Sequence, residues 1–226
     1  MAPALIPTVA ITTGSILAIL GFTLIGLEVS ISSHVNDWEN TGTSNLVGNL
    51  RGHSMPFLPA NLERRSDRLI LAAGSVAASA GIVGAITSVP KIKCHHQSWN
   101  SFIIVFMAAA STAFSICTLV YAFIKEADSA TWVIPSQPSA GRLYMSTQRG
   151  YYTTEGWTCQ VRAVMVALRD EMNDTCRESK AARWIMIPLL VFGFLLWVVS
   201  MVDSWRMGTK GRNRTSEKNV EGSARV

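Results

Sequence analysis

The stretch Phe102–Ile124, FIIVFMAAASTAFSICTLVYAFI, holds twenty-three residues without a charge, a proline or a glycine. As a helix rising about 1.5 Å per residue it would be about 34 Å long, enough to cross a hydrocarbon core of roughly 30 Å. A helix of that length in a water-soluble domain shows a polar face, and this one has none. It reads as a membrane span. Leu69–Val89 and Trp184–Val202 also lack Asp, Glu, Lys and Arg. The chain as a whole is 15% charged, against about 25% in average soluble domains. The net charge of +5 is modest, and it gives no reason to expect a nucleic-acid partner.

Thr8–Leu27 is a fourth such stretch, uncharged until Glu28. The competing reading is a cleaved signal peptide, which needs a basic start, a shorter apolar run and a small-residue cleavage site. No Lys or Arg precedes Thr8 and no clear small-x-small site follows, so a retained span is preferred. The expected fold is an all-α membrane protein, a bundle of four transmembrane helices at 8–27, 69–89, 102–124 and 184–202. Residues 1–203 then form one membrane domain with outer loops at 29–68 and 125–183. The segment 204–226 has few apolar residues to bury and reads as a disordered, basic cytoplasmic tail. Asn61 is an expected N-cap leading into the second span, and Pro90 ends that span. The partner implied for these four stretches is the lipid bilayer.

Lys and Arg are denser in the short connection at 90–101 and in the tail than in the two long loops. Since long loops count least in the positive-inside rule, both termini are expected to be cytoplasmic. Trp99, Trp184 and Trp205 fall at the expected lipid–water boundaries.

The second outer loop holds the most informative residues. Trp157, Val161, Val164, Met165, Leu168 and Met172 recur at helical spacing, with polar residues between them. Cys159 lies early in this amphipathic stretch and Cys176 just beyond it. Two cysteines in one non-cytoplasmic loop are expected to pair. Seventeen residues of straight helix would hold them about 25 Å apart, so the chain must fold back, in this reading after Met172. The alternative is two free thiols facing the cytosol. Asn173-Asp174-Thr175 is a glycosylation sequon in the same loop and agrees with an extracellular or luminal position. Asn213-Arg214-Thr215 is a second sequon, in the tail assigned to the cytosol, and it points the other way.

Cys94, at the cytosolic mouth of the spans, is the candidate for lipidation. His95 and His96 beside it lack metal-ligand spacing and read as a solvated turn. Cys117, mid-span, reads as a small apolar residue in the helix packing. Rows of small residues permit close helix approach, with Gly14 on the first span and Gly74, Ala78 and Gly81 on the second. The spans carry none of the ionisable residues that transporters and channels place at membrane depth. Glu155, Asp170 and Glu171 read as solvated loop residues. No nucleophile elbow, phosphate loop or HExxH is present, so no catalytic, cofactor or metal residue is assigned and no cofactor is expected.

Four spans, two outward loops, a short basic turn and a cysteine pair near Gly156-Trp157-Thr158-Cys159 give a layout that resembles claudin-like proteins and tetraspanins. In claudin-like proteins the Trp and Cys signature lies in the first outer loop, whereas here it lies in the second. The Cys-Cys-Gly motif of tetraspanins is absent. The resemblance covers residues 8–203, implies a tetraspan architecture, and transfers no site residue. The function expected is that of a non-enzymatic multi-pass protein of the secretory pathway or plasma membrane. It would organise or escort other membrane proteins, associate laterally with itself, or contribute to cell-surface structure. The alternatives are an oligomeric small-solute transporter or channel, and an accessory membrane enzyme of a biosynthetic pathway.

Overall fold

A computed structural model describes residues 5–40, 59, 62–88, 97–129, 151–162 and 169–223. It is mostly helical, in the order α1 (Leu5–Asn40), β1 (Leu62–Glu63), α2 (Arg65–Thr87), α3 (Gln97–Ala127), β2 (Tyr152–Thr153), α4 (Thr154–Val161) and α5 (Arg169–Ser223). Four of these helices, α1, α2, α3 and α5, are long and apolar enough to cross a membrane by length and composition. Asn61, Pro90, Cys94, His95, His96 and the stretch Val164–Leu168 lie outside the described residues.

The helices are longer than the uncharged runs that mark them. The first span was expected to stop at Leu27, yet α1 continues to Asn40. The reason is a buried stripe that does not end at the charge: Leu17, Leu24, Glu28, Ile31, Val35 and Trp38 follow one another at steps of three, four and seven. At the other end, α5 starts at Arg169, fifteen residues before the expected span, and includes Met172 and Cys176 on its buried side. Helix α5 is continuous from Arg169 through Met172 and Cys176, so the fold-back expected after Met172 is not there. The helix also runs to Ser223, through the tail expected to be disordered. No proline follows Pro188 to stop it.

The chain divides into two compact units. The first comprises Met1–Gly21, Val76–Phe114 and Leu189–Val226. Here α1 and α2 meet backbone to backbone: a Cβ added at Gly81 would lie 2.6 Å from the Gly14 carbonyl oxygen and 2.6 Å from the Ala18 nitrogen. A Cβ at Gly84 would touch the Leu196 side chain at 3.1 Å, which places α5 against α2. Hydroxyls in this unit turn back onto their own helices, Thr112 to the Ala108 carbonyl, Ser88 to Gly84 and Ser200 to Leu196. A small polar side chain satisfied in this way can be buried between helices at little cost.

The second unit comprises Phe22–Ser75 and Ser115–Pro188. In it β1 and β2 pair in parallel, Leu62 opposite Tyr152 and Glu63 opposite Thr153. Thr153 is then the N-cap of α4, its Oγ1 accepting from the Gly156 amide at 3.0 Å. Trp157 is 1% exposed and meets the Tyr152 ring edge-on with centroids 5.3 Å apart. Cys159 and Cys176 form a disulfide. Among the described residues Cys117 is the free cysteine, and it is exposed on α3, outside the helix packing expected for it.

Candidate functional site

The second unit contains a cavity of about 30 Å³, lined by ionisable and hydroxyl side chains together with Ile70 and Ala122. Helix α1 contributes Glu28, α2 Asp67 and Ser66, α3 Glu126, α4 Glu155, and α5 Arg183 and Ser179. Its volume suits a water or a small ion. Four carboxylates face one guanidinium.

Three of the carboxylates have hydrogen-bond donors. Thr154 Oγ1 donates to Asp67 Oδ2 at 2.6 Å, and Ser66 Oγ donates to the other oxygen at 3.3 Å. Thr153 Oγ1 donates to Glu126 Oε2 at 2.6 Å. The Arg183 guanidinium donates to Glu155 Oε1 at 2.7 Å and lies over the Phe123 ring, 5.0 Å from its centroid. Glu28 is 4% exposed and has no hydrogen bond or ion pair among the described residues. Ser179 Oγ and Arg183 Nε are likewise buried without a hydrogen-bond partner among those residues.

Glu155 is 7% exposed. Burial pushes its carboxyl up to about 7, the negative charge of Glu126 adds to the shift, and Arg183 and Lys180 oppose it. The ion pair with Arg183 thus only partly offsets what burial costs the anion. Glu155 was expected to be a solvated loop residue. Because the Thr153 cap starts α4 directly beneath it, its side chain instead turns into the cavity.

No family model, curated protein or solved structure matches this chain. The tetraspan resemblance stays one of layout, and the chemistry of the cavity rests on its own residues. No three His, Cys, Asp or Glu side chains among the described residues converge as metal ligands do.

The residues singled out from sequence lie around the cavity or away from it. Cys159 and Cys176 tie α4 to α5 with Cα atoms 5.0 Å apart. Arg162, just past α4, donates to Asn173 Oδ1 at 2.8 Å, so Asn173 helps hold α4 against α5. Thr175 of the same sequon is fully buried and donates to the Glu171 carbonyl. Asp170 and Glu171 are exposed on α5, although Trp38 Nε1 donates to Glu171 at 3.4 Å. Gly14 and Gly81 belong to the first unit and form its α1–α2 contact, with Ala78 buried nearby on α2, while Gly74 is buried in the second.

Sequence reasoning missed Glu28, Asp67, Glu126 and Arg183. Each stands one or two residues outside an uncharged run, where a charge is taken as the boundary of the run. One signal was available. Glu28 occupies a position of the apolar stripe Leu24, Ile31, Val35 and Trp38, where a solvated residue has no place.

Proposed function

We propose that this chain is a multi-pass membrane protein, a four-helix bundle with a disulfide-tied outer cap, that organises or escorts membrane partners through its outer surfaces. One observation carries the reading. The cavity has room for about 30 Å³, and Asp67, Glu126 and Arg183 around it bond Thr154, Thr153 and Glu155, which hold α4 to α2, α3 and α5. Such a cavity braces a cap, which supports assigning recognition to the outer surfaces. The exposed apolar side chains support a lipid environment: Ile19, Phe102 and Phe106 are each more than 60% exposed, and Trp184 and Trp205 are exposed as interface anchors are.

In this reading both termini are cytoplasmic, the cap is extracellular or luminal, and the membrane is that of the secretory pathway or the cell surface. Cys94 remains the candidate for lipidation. A glycan on Asn173 is added before α5 packs, because Thr175 of the sequon is buried in the finished fold. Protease protection and glycosidase treatment of the 125–183 loop test the orientation; cleavage from the cytosolic side reverses it. Affinity purification in mild detergent tests the function. Recovery of one or more membrane proteins in defined ratio is expected, and recovery of this chain alone, as a monomer, counts against it.

A second reading, an oligomeric small-solute transporter or channel, is favoured by the buried carboxylates around the cavity, since ionisable groups lining a cavity between membrane helices are a common mark of ion pathways. Substrate-selective, saturable flux into liposomes would replace the first reading with this one.

A further inference from the structure

We propose that the cavity of the second unit is a proton-binding site and that Glu28 holds an exchangeable proton facing Asp67. The proposal needs neither reading of function, because proton binding is an equilibrium with solvent whether the protein braces, escorts or transports.

The four carboxylates are unequally provided for. Asp67 accepts from two hydroxyls, Glu126 from one, and Glu155 from a guanidinium. Each of these contacts stabilises a negative charge. Glu28, at 4% exposure, has no such contact among the described residues. An ionised carboxylate taken out of water without a donor or a counter-ion costs several kcal/mol. Asp67, a second carboxylate in the same lining, adds repulsion when both are ionised. Protonation removes both costs, and it also turns Glu28 into a donor in a cavity that holds acceptors.

A metal cation is the other way to neutralise the cavity. It requires several carboxylates to converge, and among the described residues no three do. The charged groups that bear on Glu28 come from every element around it. Asp67 faces it from α2, with Glu63 of β1 and Arg64 just ahead of that helix. Glu126 faces it from α3, Glu155 from α4 and Arg183 from α5, where Lys180 acts on Glu155. The single guanidinium donates to Glu155 at 2.7 Å, and neither its Nε nor the Ser179 hydroxyl makes a hydrogen bond to Glu28 among the described residues.

On deprotonation the Glu28 O–H bond breaks and the proton passes through the cavity to solvent. The carboxylate left behind sits across from Asp67, and their repulsion loosens α1 from α2 within this unit. The proton is therefore a small ligand whose loss weakens the seating of the cap.

The test is infrared difference spectroscopy of the full chain in detergent or nanodiscs, with thermal melting as the companion readout. At a pH above the value of about 7 to which the Glu155 carboxyl is raised, a protonated-carboxyl C=O band is expected, and Glu28→Gln should remove it while the protein still melts cooperatively. Asp67→Asn removes the facing charge, so the variant should lose the Glu28 band at a lower pH than wild type does. If Glu28→Gln fails to fold, that comparison of wild type with Asp67→Asn decides alone. Absence of the band in wild type, its persistence in Glu28→Gln, or identical titration in wild type and Asp67→Asn would overturn the proposal. So would a wild-type melting temperature that rises with sodium but not with choline chloride, because the occupant would then be a metal cation.

Discussion

The two units hold their helices together by opposite means. In the first, Gly14 and Gly81 bring two backbones into contact and the hydroxyls of Thr112, Ser88 and Ser200 are turned inward on their own helices. In the second, side chains from different elements bind one another: Thr154 to Asp67, Thr153 to Glu126, Arg183 to Glu155, Cys159 to Cys176. Close packing of small residues suits a segment where no water can satisfy a stray polar group. Directed polar bonds suit a region that must fix one short helix in one orientation, and they bring titratable groups with them. The difference teaches that shape governs one half of the protein and charge the other.

Substitutions can break this contrast. Gly81→Leu should have the largest effect, because its first carbon already lies 2.6 Å from two backbone atoms that cannot move independently. A loss upwards of about 3 kcal/mol is expected, read by thermal unfolding in detergent. Cys159→Ser should cost about 3 kcal/mol in the chain-entropy model, with hydrogen exchange rising in residues 151–162 and unchanged in residues 76–88. Equal loss of protection in both segments would show that the units do not behave separately.

Arg183→Met should cost about 2 kcal/mol by leaving Glu155 without its counter-ion, and Glu155→Gln in the same chain should restore most of it. Melting at a series of pH values sharpens the comparison further. Folding raises the Glu155 carboxyl from the ordinary 4.5 to about 7, so between those values the folded state keeps a proton that the unfolded chain has lost. Stability conferred through this group therefore falls as pH rises across that window and is level above it. Glu155→Gln should flatten that part of the profile. The smallest effect should come from Gly193→Ala, whose added carbon would sit 3.4 Å from Thr112 Oγ1, an ordinary contact. It should stabilise by up to about 1 kcal/mol through helix propensity, and a marked loss would mean that this face is as tight as Gly81.

The long helices were legible because a run such as Phe102–Ile124 leaves few alternatives to a continuous apolar helix. The cysteine pair was legible because two thiols in one loop with a helical stretch between them leave one economical arrangement. The cavity was not legible, for a physical reason. A charge in sequence is ambiguous between the end of a buried segment and a partner within it, and Glu28, Asp67, Glu126 and Arg183 all stand at that ambiguous place. Only the continuation of the stripe through Ile31, Val35 and Trp38 distinguishes the two for Glu28. For Glu155 nothing local does, because its burial is set by Thr153 and by the remote pairing of Tyr152 with Leu62.

That pairing sets an order of manufacture. Leu62 and Tyr152 are ninety positions apart along the chain, and Asp67 receives its hydroxyl from Thr154, eighty-seven positions later. At a ribosomal pace of about 5–20 residues per second, the earlier partners wait several seconds for the later ones to be made. During that delay an acidic side chain and a strand edge stand unattended on the nascent polypeptide. A chaperone or assembly factor that shields them has its moment then, before the short helix arrives to close the join.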